Sequence, residues 1–254
     1  MNNSLYSKII KSEKISVKNN ILSSEVKNFY RSYYKFKESN LPFVTAKIAI
    51  SRDFFTNNKK SKWITNIFSR GRVHIMRSNH DCILTGSKTI ISDNPRFTCR
   101  INGLEKRSPS IIILDQNLKI STTSRVISLP RKHSIIIFFN KINKKRIKAL
   151  NKFKVKLIRA PISNDGNFDL KNILRKIKHL GFSRIFLETG LKLTTSFLND
   201  DIIDDFKLFI SNKKVGKNGN NSFKKNMRLF FDNKKFINEK VNLFGDKLIS
   251  YRMK

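Results

Sequence analysis

The stretch Asp169–Leu198, DLKNILRKIKHLGFSRIFLETGLKLTTSFL, decides the fold class. Its first part spaces apolar side chains along one helical face, which predicts an amphipathic helix over Asp169–Leu180. Gly181 follows, where a helix ends in left-handed backbone that glycine adopts at low cost. Arg184–Glu188 (RIFLE) then reads as a short buried strand, and Gly190 opens a second helix running to Leu198. The same alternation extends outward. Val155–Ile158, Ile135–Phe139, Ile111–Leu114 and Cys82–Thr85 read as strands on one side, and Asp205–Ile210 and Lys247–Tyr251 on the other. Further upstream, Thr65–Ser78 predicts a helix with Ile67, Val73 and Met76 as core contacts. Before it, PFVTAKIAIS from Pro42 predicts a central strand, apolar on both faces. Strands alternating with helices imply an α/β layered domain with a largely parallel sheet. Lys213–Lys225, KKVGKNGNNSFKK, reads as a loop.

Bulk composition narrows the function classes. The 254 residues are 39% hydrophobic and 11% aromatic, enough for a real core. No apolar run approaches the ~18–20 residues that span a bilayer, and the N-terminus lacks a signal-peptide pattern, so a cytoplasmic location is expected. Cys82 and Cys99 form no CxxC and are expected as reduced thiols. The four histidines fit no zinc pattern, so no metal is expected. The net charge of +35 favours anionic partners. However, Lys and Arg are spread along nearly the whole chain among Asn, Ile and Phe, which reads as compositional drift. Nucleic acid is therefore not the expected partner. A basic RNA-binding protein without catalysis remains the alternative of a different class, carried by the charge and by KINKKRIK (Lys141–Lys148).

Four local features carry candidate chemistry. Leu187-Glu188-Thr189-Gly190 ends a strand in an acid and starts a helix on glycine, with Thr194, Thr195 and Ser196 nearby. Strand carboxyl ends hold ligands in open α/β sheets, and helix N-termini bind phosphate. Alone, it is equally a helix start with a solvated Glu. Thr85–Thr89 followed by Asp93-Asn94-Pro95 again ends a strand in small and hydroxylated residues; alone it is an ordinary loop. Lys47 sits inside an apolar strand, costly unless its charge is paired or snorkels to an edge. Ser61–Thr65 holds the only Trp, Trp63, which by itself reads as a core anchor. No GxGxxG and no GxxxxGK[ST] occurs, so neither usual nucleotide fingerprint applies.

In chain order, PFVTAKIAIS, SKWIT, RVHIMRSNHDCILTGSKTIISDNPRFTCR, SIIILD, GFSRIFLETG and DDFKLFIS resemble the pyrimidine reductase family of riboflavin biosynthesis. In bacteria this is usually the C-terminal half of a bifunctional deaminase-reductase. The resemblance runs from about Leu41 to the C-terminus and is most specific over Trp63–Arg100. It implies a dihydrofolate-reductase-like three-layer α/β fold with a mixed, largely parallel central sheet. It also implies a homodimer that reduces 5-amino-6-(5-phosphoribosylamino)uracil with NADPH, by hydride transfer to C1 of the opened ribose. A same-fold reductase acting on another pyrimidine or pteridine is the nearer alternative.

Residue by residue, the resemblance places Ala49, Trp63, Thr89, Asp93 and Gln116 at the cofactor, with Gly190, Leu191, Lys192, Leu193, Thr194, Thr195 and Ser196 cradling its phosphates. Ser61, Arg77, Arg100, Glu188 and the main chain at Phe97 match substrate contacts, the two arginines suiting a phosphate. Lys47 and Glu188 are the expected polar pair at the reacting centre. Two departures stand out. The family's SxDG is Ser51-Arg52-Asp53-Phe54 here, so the loop after Asp53 is expected to take another path, and the family's paired glycines are Thr189-Gly190.

The deaminase's HxE and PCxxC do not occur, so no deaminase activity is expected of this chain. Residues 14–37 nevertheless resemble that domain's last strand and helix. Residues 1–40 therefore read as a deaminase remnant and linker, and 41–254 as the reductase domain. A helix over Glu25–Lys37, capped by Ser23 or Ser24, would carry Val26, Phe29, Tyr30, Tyr33 and Tyr34 on an apolar face that needs cover.

Overall fold

Runs of β-branched and aromatic residues become the strands of one sheet, and the amphipathic segments between them become its two covering layers. The computed structural model describes residues 8–10, 12–16, 18, 21–128 and 133–254. Helices α1 (Ser23–Phe29) and α2 (Arg31–Glu38) precede β1 (Phe43–Ile50), β2 (Phe55–Asn58), α3 (Ile67–Ser78), β3 (Cys82–Gly86) and α4 (Ser87–Asp93). Next come β4 (Ser110–Leu114), α5 (Arg125–Ser128), β5 (Ile135–Phe139), α6 (Lys144–Asn151), β6 (Val155–Arg159), α7 (Leu170–His179) and β7 (Arg184–Glu188). The chain continues through α8 (Leu191–Asn199), β8 (Asp205–Ile210), β9 (Gly219–Ser222), α9 (Lys224–Phe231), β10 (Phe236–Asn238) and β11 (Lys247–Arg252).

The main sheet has the order β10-β11-β8-β1-β7-β3-β4-β5-β6. Every pairing from β8 to β6 is parallel, while β11 runs antiparallel to β8 and to β10. The sheet is thus mixed and largely parallel, as expected. Side chains alternate between its faces. Ala46, Ile48, Leu84 and Leu187 pack with Ile173 and Ile177 of α7, Phe197 of α8 and Phe231 of α9. Ile83, Ile111, Ile113, Phe186 and Phe209 pack on the other face with Val73 and Met76 of α3 and Leu150 of α6. Three layers result.

Local chemistry sets the helix starts. Asn66, Asn143 and Asp169 accept backbone N–H groups from Ser69 (2.9 Å), Arg146 (3.0 Å) and Asn172 (2.9 Å). Leu170, Ile173, Leu174 and Ile177 of α7 are buried, each worth roughly 1.5–3 kcal/mol of transfer free energy. Gly181 ends the segment at φ +92°.

Several expectations need correction. The helix over Glu25–Lys37 is two helices, broken at Tyr30 (φ −90°, ψ 6°), and starts after Leu22 without a side-chain cap. Phe29, Tyr30, Tyr33 and Tyr34 are exposed, Phe29 at 80%, so that face does not cover the sheet domain. Instead α2 docks through charge: Arg31 donates to Asp205 (2.8 Å), and Lys35 to the buried Asp204 (2.6 Å). The described residues among 14–22 carry no strand. Ile67 is exposed because it begins α3 on the solvent side. The loop at 213–225 contains β9, paired with β2 in a small second sheet.

Phe54 does adopt positive φ, +70°. The loop thus keeps the backbone bend that glycine would give. Phe54 N–H donates to the Ser51 carbonyl (3.0 Å), and its ring packs on the core. Asp53 closes the turn by accepting from Ser51 Oγ (2.6 Å) and from the N–H groups of Val215 (3.0 Å) and Gly216 (2.8 Å). Burial pushes this carboxyl up, but these hydrogen bonds outweigh it and hold it at about 2. Asp53 is therefore a structural clasp joining this turn to the 213–216 segment.

Candidate active site

Parallel pairing of β1 with β7 sets Lys47 opposite Glu188 near the strands' carboxyl ends. Both residues alternate onto the face covered by α3, which Ala49 and Phe186 share. Lys47 is half-buried. Burial pushes its ammonium down, while the neighbouring Glu188 carboxylate opposes that shift.

Glu188 is claimed by Arg77 from α3. Arg77 Nε donates to Oε2 (2.8 Å) and Nη2 to Oε1 (2.7 Å), a two-pronged ion pair with both side chains largely buried. Burial raises the Glu188 carboxyl, but the Arg77 charge and hydrogen bonds, then Lys47, bring it below its ordinary value. Glu188 is therefore a fixed carboxylate. Arg77 Nη1 also donates to the Thr98 carbonyl (3.1 Å), and its guanidinium lies 5.7 Å from the Phe97 ring centroid. Arg77, expected at a phosphate, is largely committed inside the protein. Arg100 stands exposed beside it, its side chain reaching His74 at 3.1 Å. Phe97 is buried with φ +53°, which turns the main chain between Asn94 and Arg100.

Thr89 of α4 meets the loop after β7. Its Oγ1 accepts the Gly190 N–H (3.2 Å) and lies 3.4 Å from Thr189 Oγ1. Gly86 faces the same place: a Cβ there would sit 3.4 Å from Leu193 and 3.6 Å from Thr189. Gly190 is the N-cap of α8 and has no side chain to cap it; the first helical bond runs from Thr194 N–H to the Gly190 carbonyl (3.2 Å). The N–H groups of Leu191, Lys192 and Leu193 precede that bond and have no acceptor within the helix. The hydroxyls expected beside them turn back into α8. Thr194 donates to Gly190 (3.2 Å), Thr195 to Leu191 (2.9 Å) and Ser196 to Lys192 (3.3 Å), each to the carbonyl four residues earlier. Thr194 is fully buried, and Thr195 also accepts from Asn226 (2.8 Å).

The remaining expected residues form a rim. Trp63 is 54% exposed, so it is no core anchor. Its ring lies 4.6 Å from the Arg70 guanidinium, a cation–π contact. With Ser61, Asn66 and Val215 it lines a recess of about 420 Å³. Ser61 Oγ is engaged locally with the Trp63 carbonyl (3.2 Å). Asp93 is exposed at the end of α4, where Lys62 Nζ donates to its carbonyl (3.3 Å). Gln116 follows β4 and donates to the Gly166 carbonyl (3.0 Å), its side chain tied to the loop beyond β6. A second recess, about 540 Å³, lies among α1, α2 and Asp204, away from these groups, and reflects the docking of the N-terminal helices. Among the described residues no cluster of His, Cys, Asp or Glu suits a metal ion, and no helix is long and apolar enough to cross a membrane.

Sequence reasoning missed His74. Its signal was present: three residues before Arg77, it shares that residue's helix face.

The model of the RibD C-terminal domain matches residues 42–246. The riboflavin biosynthesis protein RibD of Aquifex aeolicus is 30% identical over 239 residues, covering 93% of this chain and 65% of its own length. The chain thus spans less than two thirds of that relative. A Buchnera aphidicola protein named 5-amino-6-(5-phosphoribosylamino)uracil reductase is 33% identical over 165 residues, 63% of this chain and 79% of its own. Among solved structures, the Thermotoga maritima deaminase/reductase superposes with a TM-score of 0.75 at 25% identity, covering 97% of this chain and 66% of that one. Acinetobacter baumannii RibD superposes with a TM-score of 0.76 at 20% identity, covering 97% and 67%.

Proposed function

The chain belongs to the RibD C-terminal domain family, and from that premise we propose that it reduces 5-amino-6-(5-phosphoribosylamino)uracil to the ribitylamino compound, with NADPH as reductant. The observation that carries the reading is the run from Glu188 to Gly190. A carboxylate gripped by Arg77 beside Lys47 is followed within two residues by a helix start without a side-chain cap. A charged reacting centre and an anion cradle are thereby adjacent.

The residues fit a dinucleotide phosphate. Gly190 leaves the backbone approach open: an added Cβ there would meet only Thr89 Oγ1, at 3.9 Å. The N–H groups at the start of α8 and its positive dipole end suit phosphate oxygens. Thr89, Asp93, Ala49 and the exposed Trp63 ring would complete that side, and Gln116 would join only by releasing Gly166. When bound, NADPH supplies the hydride.

The protein's own task is orientation and proton supply. Glu188, held ionised, is suited to accept hydrogen bonds from ribose hydroxyls or the pyrimidine. Lys47, its ammonium pushed down by burial, is the group placed to donate a proton to the imine nitrogen or hold a ribose hydroxyl. Arg100 is the guanidinium exposed to take the substrate phosphate, and Arg77 fixes Glu188. A cytoplasmic homodimer belongs to the same reading. Edge strand β10 exposes Phe236 and Ile237, an edge that a second copy would cover.

The test is direct. Purified protein is mixed with NADPH and the phosphoribosylamino-uracil, and absorbance at the reduced nicotinamide band is followed. Substrate-dependent loss is expected. Soluble, folded protein that gives none would sink the reading.

A further inference from the structure

We propose that His74 is a positioning residue that holds the two arginines of the site in place, accepting from Arg100 directly and linked to Arg77 through the Thr98 carbonyl, as a neutral bridge. Arg77 and Arg100 both carry permanent positive charge, yet both reach the same imidazole. Arg100 Nη2 lies 3.1 Å from His74 Nε2, and Arg77 Nη1 lies 3.4 Å from His74 Nδ1. Two guanidiniums drawn together repel, and a neutral group between them that accepts a hydrogen bond offsets part of that cost.

The contacts choose a tautomer. Donors approach both ring nitrogens: Arg100 Nη2 at Nε2 (3.1 Å), and the Arg100 N–H (3.2 Å) and Arg77 Nη1 (3.4 Å) at Nδ1. Nδ1 also faces the Thr98 carbonyl at 2.9 Å, an acceptor that the ring can satisfy only as Nδ1–H. The shortest contact at each nitrogen is therefore met when Nε2 accepts from Arg100 and the imidazole proton stands on Nδ1, donated to the Thr98 carbonyl. That carbonyl also accepts from Arg77 Nη1 (3.1 Å), so Thr98 gathers His74 and Arg77 on one oxygen. A charged imidazolium would have two donors and face two cations. Burial, then Arg77 and Arg100, push the ring down to about 4, which keeps it neutral where the enzyme works. His74 is itself buried in α3, so its position is set by the helix and not by solvent.

The consequence is a division of labour. Arg77 turns its Nε and Nη2 edge to Glu188, and Arg100 stays at the surface with donors free of Glu188 for an anion. Without His74, Arg100 loses the acceptor at Nε2 that holds its guanidinium, and the Thr98 carbonyl loses one of the two donors that fix it against Arg77.

The kinetic arm rests on the reductase reading. In His74→Leu, the Michaelis constant for the phosphorylated pyrimidine should rise roughly tenfold, the scale of one lost charge-assisted hydrogen bond. The constant for NADPH should stay within about twofold, a difference worth under ~0.5 kcal/mol. His74→Gln, which keeps a donor and an acceptor, should recover most of the loss. Equal rises for both substrates, or no rise, would overturn the proposal, because a merely structural residue would act without preference. Two measurements on wild-type protein and variants need no turnover. Nitrogen-15 NMR of the imidazole should show the Nδ1–H tautomer at pH 7; an Nε2–H tautomer or an imidazolium would refute the bridge even if His74→Leu does not fold. Titration with ribose 5-phosphate should be weakened in His74→Gln less than in Arg100→Ala; equal loss in both would refute the division of labour. Wild-type protein that reduces nothing but shows this tautomer and binds the sugar phosphate would remove the reductase reading and leave the bridge standing.

Discussion

The two halves of the candidate site recognise charge by opposite means. On the α3 side, five ionisable side chains hold one another: Arg77 grips Glu188, His74 touches both Arg77 and Arg100, and Lys47 lies opposite Glu188 in register. On the α8 side the hydroxyls turn inward, and what remains for a ligand is backbone N–H and glycine. The first half is specific but interdependent, because a buried charge that loses its partner is costly. The second half is tolerant, because backbone donors survive most side-chain changes. Mutation should therefore hurt the first half in stability and chemistry together, and the second only in cofactor affinity.

Arg77→Ala tests the interdependence most severely. It strands Glu188 in a largely buried position, and breaking such a pair costs about 3–5 kcal/mol. Chemical denaturation should report a loss of that order, with turnover falling as well. A variant of native stability whose only defect is a higher Michaelis constant would mean that Arg77 serves the substrate phosphate alone. Glu188→Gln is milder for the fold, since the amide oxygen still accepts from Arg77. It removes the charge from the reacting centre, so turnover should fall at least ~100-fold, the scale of a positioned polar or acid–base group. Steady-state rates within a few-fold of wild type would remove Glu188 from the chemistry.

Thr89→Val measures the tolerant half. It deletes the acceptor for the Gly190 N–H and the contact with Thr189. One modest hydrogen bond, about 0.5–1.5 kcal/mol, should raise the NADPH Michaelis constant roughly two- to tenfold and leave turnover nearly unchanged. If Thr89→Val instead matched Glu188→Gln in turnover, the contrast between the halves would fail.

The same contrast explains what the sequence could tell. Aliphatic runs such as Ile111–Leu114 and Ile135–Phe139 have no stable place except a buried strand, so the sheet was legible. Glu188 ending a strand before a glycine-started helix was legible for the same local reason. Its partner was not. Arg77 and Glu188 are 111 residues apart, and only the register of β1, β7 and β3 under α3 brings them together. Likewise, spacing sets His74 on the helix face of Arg77, but nothing local tells that Arg100 meets its other edge. In sequence the hydroxyls of Thr194, Thr195 and Ser196 look like ligand contacts, though in a helix such groups commonly bond the carbonyl one turn back. The break at Tyr30 has no proline or glycine to announce it.

Phe54 offers the most discriminating test, because it separates backbone chemistry from side-chain packing at one position. Left-handed backbone costs a non-glycine residue roughly 1–2 kcal/mol, and Phe54 bears that cost at φ +70°. Its ring packs on the core and returns part of the roughly 1.5–3 kcal/mol of a buried aromatic. Phe54→Gly removes both terms and adds about 0.5–1 kcal/mol of chain entropy, so its net effect should be a loss of no more than about 1–2 kcal/mol. Phe54→Ala keeps the backbone cost and loses the ring, so it should be the less stable of the two. Denaturation midpoints ordered Phe, Gly, Ala would mean that the family's glycine answers a backbone need which this chain meets with an aromatic side chain. Alanine above glycine would mean that the turn, clasped by Asp53, relaxes out of positive φ once the ring is gone.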